Sequence, residues 1–366
     1  MRIAYLSSSF FPSKAANSVH VVRMCEAFTK MGHDVTLFAF SDAERDCDLK
    51  SEYGFKHLFK TKMIPRKKNS RLAKLISFFR LGRMVDCSQF DLIYCRNVAS
   101  VLFLRGKKPL VLEVHALLGS VWKMIINILF HRKNVVAVVA ITQALAMDFA
   151  EMFPRSTNKI LVASDCASVP ESPQVDGYDN CETVGYIGHL YEGRGIEIAV
   201  GLAKAFPTLK FIIVGGEDNH VEDWKRRCSS ISNIFFEGHV AHAKLGEYYA
   251  RIDIMLAPYQ NAVRVGGNKG DTSRWMSPLK LFEYMSYGKP MIVSDLPVLR
   301  EVMKDGETCL LCEPDDLKSW ETQLKCLAND KELRQTLSQT AYSDFLNNYT
   351  WDARVLKIIS YVEEIC

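Results

Sequence analysis

Short apolar runs alternate with amphipathic stretches along the chain, a pattern that predicts strand and helix in repeated succession. Residues 3–6, 19–30 and 35–39 predict a strand, a helix and a strand, with Gly32-His33-Asp34 as the turn before the second strand; such a βαβ unit crosses over in the right-handed sense. Apolar runs at 92–95, 110–114 and 135–141 predict further short buried strands. A helix over 143–152 follows, with Thr142 at its cap and Pro154 as its stop. Residues 170–180 are rich in Pro, Ser, Asp and Gly and read as a linker. Beyond it the alternation resumes, with strands expected at 183–187, 209–214, 234–236, 254–257 and 291–294 and helices at 196–206, 245–251 and 278–286. Two α/β modules follow, and open parallel sheets bind ligands at the carboxyl ends of their strands.

Composition supports this picture and narrows the function classes. A chain of 366 residues with 48% hydrophobic and 24% charged side chains can bury a large core, which excludes a disordered or fibrous protein. The apolar runs at 124–130 and 135–141 fall far short of the roughly 20 residues that cross a bilayer. Polar Ser7-Ser8-Ser9 follows the first strand where a signal peptide would place its apolar core, so the sequence is expected to be cytoplasmic. The 11 cysteines are scattered and odd in number, which fits reduced buried thiols. Cys309 and Cys312 form a single CxxC with no second pair, and two thiols on a short strand explain it better than zinc.

Charge is unevenly divided. Residues 1–165 hold 25 basic against 13 acidic side chains, and residues 166–366 hold 21 against 29. The first half is therefore the one expected to meet an anionic partner. Residues 56–83 carry ten basic side chains and no acid, and Leu72, Leu75, Ile76 and Phe79 recur there at helical spacing. Two readings stand: a helix resting on an anionic membrane surface, or a core-packed helix with a solvated basic flank. Nucleic acid is not expected, because the stretch lacks interleaved aromatics.

Candidate chemistry gathers on one segment. Ser277 and Pro278 read as a cap and first helical residue, and free amides at such a start attract phosphate oxygens. Glu283, within the first two turns, is placed to accept bonds from a ribose diol. Residues 277–302, SPLKLFEYMSYGKPMIVSDLPVLREV, with Asp305-Gly306-Glu307, resemble the family 4 retaining glycosyltransferases. Supporting pieces are Gly32-His33-Asp34-Val35, Gly185-Tyr186-Ile187-Gly188, Arg194-Gly195-Ile196-Glu197, Gly238-His239-Val240 and Tyr349-Thr350-Trp351.

The resemblance implies an α/β chain of GT-B fold, two Rossmann-like domains facing across a cleft: an acceptor-side domain over 1–165, a donor-binding domain over 166–345, and a terminal helix over 346–366 returning to the first. It implies that Glu283, the second acid of an E-x7-E motif, binds the nucleotide ribose, and that Arg194 holds the donor diphosphate. It places His189 as a second phosphate cation and His115 at the donor sugar and phosphate. Gly188, Gly215 and Val240 fall in donor-binding motifs. Asn17 and Ser18 stand where the first loop offers amides to a phosphate, and Lys280 is placed to reach one as a point charge. The first acid of the motif is replaced by Trp275, so backbone amides of Met276, Ser277, Pro278 and Leu279 are expected to carry that end of the donor, with Trp275 as a stacking wall or packed on the domain.

The expected activity is metal-independent transfer of a sugar from a nucleotide diphosphate sugar to a glycan or lipid-linked glycan, with no cofactor, in cell-surface polysaccharide or glycoconjugate synthesis. The expected location is cytoplasmic, peripheral on the inner membrane face. A nucleotide-sugar epimerase of the same architecture and a non-catalytic nucleotide-sugar-binding subunit remain open. No GxGxxG follows the first strand, which weighs against a nicotinamide oxidoreductase. Asp46-Cys47-Asp48 has metal-binding DxD spacing but sits in a charged loop with Asp42 and Glu44, where a solvated role fits better.

Overall fold

The structure, a computed structural model, describes residues 1–13, 15–41, 49–65, 71–117, 119–131, 134–173, 181–264 and 271–365. The chain divides into two units, Met1–Asp165 with Trp351–Cys366, and Cys166–Thr350. The DxD at 46–48, Arg66, Lys67 and Lys68 of the basic run, and much of the expected linker lie outside the described residues.

The first unit is built on a parallel sheet of β1 (Arg2–Phe11), β2 (Asp34–Ser41), β3 (Lys60–Pro65), β4 (Leu92–Cys95), β5 (Leu110–Val114), β6 (Val135–Ala140) and β7 (Ile160–Val162), in the order β3-β2-β1-β4-β5-β6-β7. β4, β5 and most of β6 are buried, which explains why their sequences are runs of Val, Leu and Ile instead of alternating patterns. The order reverses between β1 and β4, the position at which such sheets open a ligand crevice. Helix Ala16–Lys30 buries Val21, Val22, Met24, Cys25 and Phe28. Helix Trp351–Ile365 packs on it, burying Val355, Ile358, Ile359 and Val362.

Two elements depart from the sequence pattern. β3 is an exposed edge strand, too polar to announce itself. Helix Arg71–Met84 buries Ser77 and Leu81, whereas Leu75, Ile76 and Phe79 are 55%, 49% and 45% exposed. A Cβ at Gly82 would lie 2.3 Å from the Ser100 carbonyl oxygen, so this helix seats itself by close backbone approach. Of the two readings left open for this stripe, full core packing does not hold at Leu75, Ile76 and Phe79, which face outward.

The second unit carries β8 (Thr183–Ile187), β9 (Lys210–Val214), β10 (Ile234–Gly238), β11 (Ile254–Ala257), β12 (Met291–Ser294) and β13 (Leu310–Cys312), all parallel, in the order β10-β9-β8-β11-β12-β13. One sheet face packs around Tyr249, Met285, Leu299 and Phe345, and the other around Phe211, Ile213, Trp320 and Leu324. Helix Leu279–Ser286 is tied to the sheet by Tyr284, whose hydroxyl accepts from Ile187 N at 3.1 Å and donates to the Leu256 carbonyl at 3.2 Å. One side chain thus joins the helix to the ends of β8 and β11.

The loop before helix Ile196–Ala205 is equally constrained. Gln260 N donates to the Gly193 carbonyl at 3.0 Å, and Arg264 N to the Glu192 carbonyl at 3.2 Å. Gly195 caps the helix with φ +73°, and a Cβ there would stand 1.6 Å from the Pro258 carbonyl oxygen. Gly195→Ala should therefore lower unfolding stability by more than the roughly 1–2 kcal/mol of a left-handed residue alone, measured by denaturant titration.

Candidate functional site

At the C-terminal ends of β8 and β11 four side chains converge in the second unit. Lys280, in the first turn of helix Leu279–Ser286, extends its Nζ to 3.8 Å from the Tyr186 ring centroid and 4.9 Å from that of Tyr259. The Arg194 guanidinium lies 5.3 Å from the Tyr259 centroid. Lys280 Nζ and Arg194 Nε are buried with no hydrogen-bond partner among the described residues. Burial, joined by the charge of Arg194 and opposed by Glu283, drives the Lys280 pKa well below its ordinary value. The room for the ammonium comes from Gly188: a Cβ there would lie 2.9 Å from Nζ.

Glu283 projects from the same helix. His242 Nε2 lies 2.9 Å from its Oε1, and the Tyr249 hydroxyl donates to Oε2 at 3.1 Å. Burial pushes its pKa up, but the contacts from His242 and Tyr249 outweigh that, so the net shift is downward and the group stays ionised. Each oxygen keeps a second lone pair for a hydroxyl donor.

The other expected residues of this unit fall around the same edge with different capacities. Gly188 N donates to the Val214 carbonyl and Gly215 N to the Gly238 carbonyl, so these two amides are already engaged. His189 stacks on Tyr191 at 4.9 Å, and burial with the charges of Arg194 and Lys280 lowers its pKa to about 4, leaving it neutral near pH 7. Val240 and Trp275 are half-buried, and Met276 belongs to the core. The helix starts one residue later than expected: Pro278 occupies the cap position with an extended ψ of 116°, and no side chain caps the start. Ser277 therefore does not act as the expected cap, and Leu279 and Lys280 supply the first-turn amides.

In the first unit a charged cluster surrounds Glu113 at the end of β5. His20 Nε2 is 2.7 Å from Glu113 Oε1 and its Nδ1 is 2.8 Å from Asp165 Oδ1. Arg96 Nε lies 3.3 Å and Arg354 Nη1 3.2 Å from the Glu113 carboxylate, and Tyr94 and His115 also bond it. Burial opposes ionisation of Glu113, yet His20 and Arg354 overcome it and hold its pKa well below the usual range. His115 is a quarter exposed, and burial together with Arg96 lowers its pKa to about 4. His20, Glu113 and His115 present ligand-type atoms within 4.8 Å of one another, but the two guanidiniums on the same carboxylate already supply the positive charge a metal would bring.

Asn17 and Ser18 lie inside helix Ala16–Lys30, which begins earlier than the sequence suggests. Ser18 N donates to the Ala15 carbonyl at 2.9 Å, so it is not the open amide that was expected there. The Asn17 side chain donates to Ser9 Oγ at 2.7 Å.

Residues 18–164 match the model of Glycosyltransferase Family 4, and residues 181–330 that of Glycosyl transferases group 1. The chain belongs to the family 4 glycosyltransferases. A phosphatidyl-myo-inositol mannosyltransferase of Mycolicibacterium smegmatis is 23% identical over 100% of this chain and 94% of its own length. Among solved structures, HepE of Anabaena with UDP and glucose has a TM-score of 0.71 at 16% identity, covering 99% of both chains. Sucrose-phosphate synthase of Thermosynechococcus elongatus has a TM-score of 0.76 at 17% identity, covering 99% of this chain and 98% of its own. These likenesses show the GT-B fold.

In this glycosyltransferase the sequence reading missed His242 and Tyr249 on Glu283, the Tyr186 and Tyr259 rings around Lys280, and the His20, Asp165 and Arg354 partners of the Glu113 cluster. Only Tyr186 lay within a segment noted as a motif. The lowered histidines give the enzyme an acid limit: an unfolded chain binds their protons near pH 6.5 and the folded one only near pH 4. Stability is expected to fall as pH drops through that window, by about 1–3 kcal/mol for each histidine. His189→Asn should flatten its share of the slope in thermal unfolding scans.

Proposed function

We propose that the enzyme holds a nucleotide diphosphate sugar in its second unit and transfers the sugar, with retention of anomeric configuration, to a glycan or lipid-linked acceptor bound by the basic first unit. The observation that carries this reading is the pair of buried nitrogens, Lys280 Nζ and Arg194 Nε, without hydrogen-bond partners among the described residues and close to helix-start amides. A diphosphate supplies the acceptors they lack. Glu283, already oriented by His242 and Tyr249, takes the ribose diol through its remaining lone pairs. UDP bound to HepE, and the phosphatidyl-myo-inositol acceptor in the mannosyltransferase's name, support this donor and acceptor class.

In the reaction, an acceptor hydroxyl oxygen bonds the anomeric carbon on the face from which the diphosphate leaves. The bond from that carbon to the phosphate oxygen breaks, and the departing oxygen takes the hydroxyl proton. Arg194 and Lys280 neutralise the growing charge of the leaving group, so no protein nucleophile is required. His115, neutral and tied to Glu113 through Nε2, offers Nδ1 as an acceptor for a sugar hydroxyl.

The outward face of helix Arg71–Met84 is the reading's membrane element. Exposed Leu75, Ile76 and Phe79 stand among exposed Lys74, Arg80 and Arg83 in a stretch with no acid, a combination suited to anionic lipid headgroups with shallow apolar insertion. No described helix is long and apolar enough to cross a membrane.

Three outcomes are expected. Glu283→Ala weakens UDP, or whichever nucleoside diphosphate the enzyme prefers, by about 1.5–3 kcal/mol in calorimetry, the range for bonds to a charged group; unchanged affinity removes Glu283 from the site. Transfer continues in excess chelator, since fixed cations serve the leaving group; a strict divalent-metal requirement counts against the scheme. Replacing Lys74, Arg80 and Arg83 by Gln reduces binding to vesicles containing phosphatidylglycerol, most clearly at low salt, and sedimentation equal to the parent retires the membrane element.

A further inference from the structure

We propose that the donor diphosphate enters the tyrosine-lined pocket together with one proton, which Lys280 takes up as the anion arrives. The proposal rests on the reading above that the diphosphate lies at Arg194 and Lys280.

The geometry leaves the Lys280 ammonium without compensation when the site is empty. Its residue is only 9% exposed, and Nζ has no hydrogen-bond acceptor among the described residues. The groups facing it come from each neighbouring element. The end of β8 and the turn after it contribute the Tyr186 ring and His189, which burial and the charge of Arg194 hold neutral. The loop before helix Ile196–Ala205 contributes Arg194, a like charge. The segment after β11 contributes the Tyr259 ring. Its own helix contributes Glu283, whose two oxygens already take contacts from His242 and Tyr249. The Tyr186 hydroxyl donates to the His189 carbonyl, and it makes no hydrogen bond with Nζ.

Aromatic faces recover only part of what the cation loses on leaving water. The amine therefore favours its neutral form until an anion is beside it, in keeping with the strong downward shift produced by burial and Arg194. A diphosphate oxygen reverses that balance. The neutral amine takes a proton from solvent to become an ammonium, and that ammonium donates to the phosphate. When the nucleoside diphosphate product leaves, the proton is returned to solvent. Arg194 takes no part in the exchange, because a guanidinium stays charged throughout.

The test is calorimetric titration of the full chain with UDP at about pH 8.5, where nucleotide phosphates are fully ionised and free histidines neutral, in two buffers of different ionisation enthalpy. The parent enzyme is expected to take up about one proton per UDP bound, and its affinity to fall by up to about tenfold per pH unit on raising the pH further. Lys280→Arg should bind UDP with no proton uptake. Lys280→Gln should bind at least tenfold more weakly, also without uptake, and covers the case in which the arginine disturbs folding. Binding of UDP by the parent without uptake, or equal uptake in either variant, overturns the proposal. Failure of the folded parent to bind UDP, GDP, ADP and inorganic pyrophosphate overturns the diphosphate placement itself, and this proposal with it.

Discussion

A lysine amine sealed against two tyrosine rings is the constraint around which the second unit's site is organised. Water is excluded from Nζ, the nearest cation repels it, and the nearest carboxylate is already engaged. Such a group persists because the fold around it is over-determined. Tyr284 pins the lysine's helix to the ends of β8 and β11, and two backbone bonds pin the Arg194 loop to the segment carrying Tyr259. The side chains that meet a bound anion are thus held in place before any substrate arrives, which is the condition for stabilising a leaving group without reorganisation.

The first unit meets the opposite problem and solves it differently. Glu113 is buried more completely than Lys280, but it is surrounded by His20, Arg96, Arg354, His115 and Tyr94, drawn from elements far apart in sequence. Its charge is balanced within the protein, and what emerges from the cluster is the orientation of His115 at the end of β5. One unit holds a completed electrostatic network that positions an imidazole. The other leaves Lys280 Nζ and Arg194 Nε without hydrogen-bond partners among the described residues. Both sit at carboxyl ends of parallel strands, where the backbone offers open loop positions instead of ladder bonds.

The parallel strands were legible because their burial on both faces writes an unbroken apolar run, as in β5 and β6. The segment from Ser277 to Glu283 was legible because its residues are contiguous and carry the family resemblance together. What remained hidden was mostly long-range. No local pattern reveals that His242 and Tyr249 meet Glu283 across 41 and 34 positions, or that Tyr186 and Tyr259 flank Lys280. The cap at Ser277 and the start of the first helix failed for a local reason. Pro278 adopts an extended ψ and displaces the helix by one residue, while Ala15 caps Ala16–Lys30 without a side-chain bond and so leaves no signature. For helix Arg71–Met84 the periodicity gave the helix but left its facing open; in the structure Ser77 and Leu81 are buried, and Gly82 makes a close backbone approach.

Arg354 belongs to helix Trp351–Ile365, which the ribosome makes after the whole second unit, whereas Glu113 and His20 are made before it. During synthesis, then, the N-terminal sheet emerges with only one of the two guanidiniums that meet Glu113, that of Arg96, and lacking the apolar cover of Val355, Ile358 and Val362. The intervening unit, all of whose strands lie between residues 183 and 312, has its segments available first and can assemble on its own. Completion of the first unit is thereby postponed until the second has been made, so a nascent polypeptide has no finished His115 environment before Arg354 has emerged.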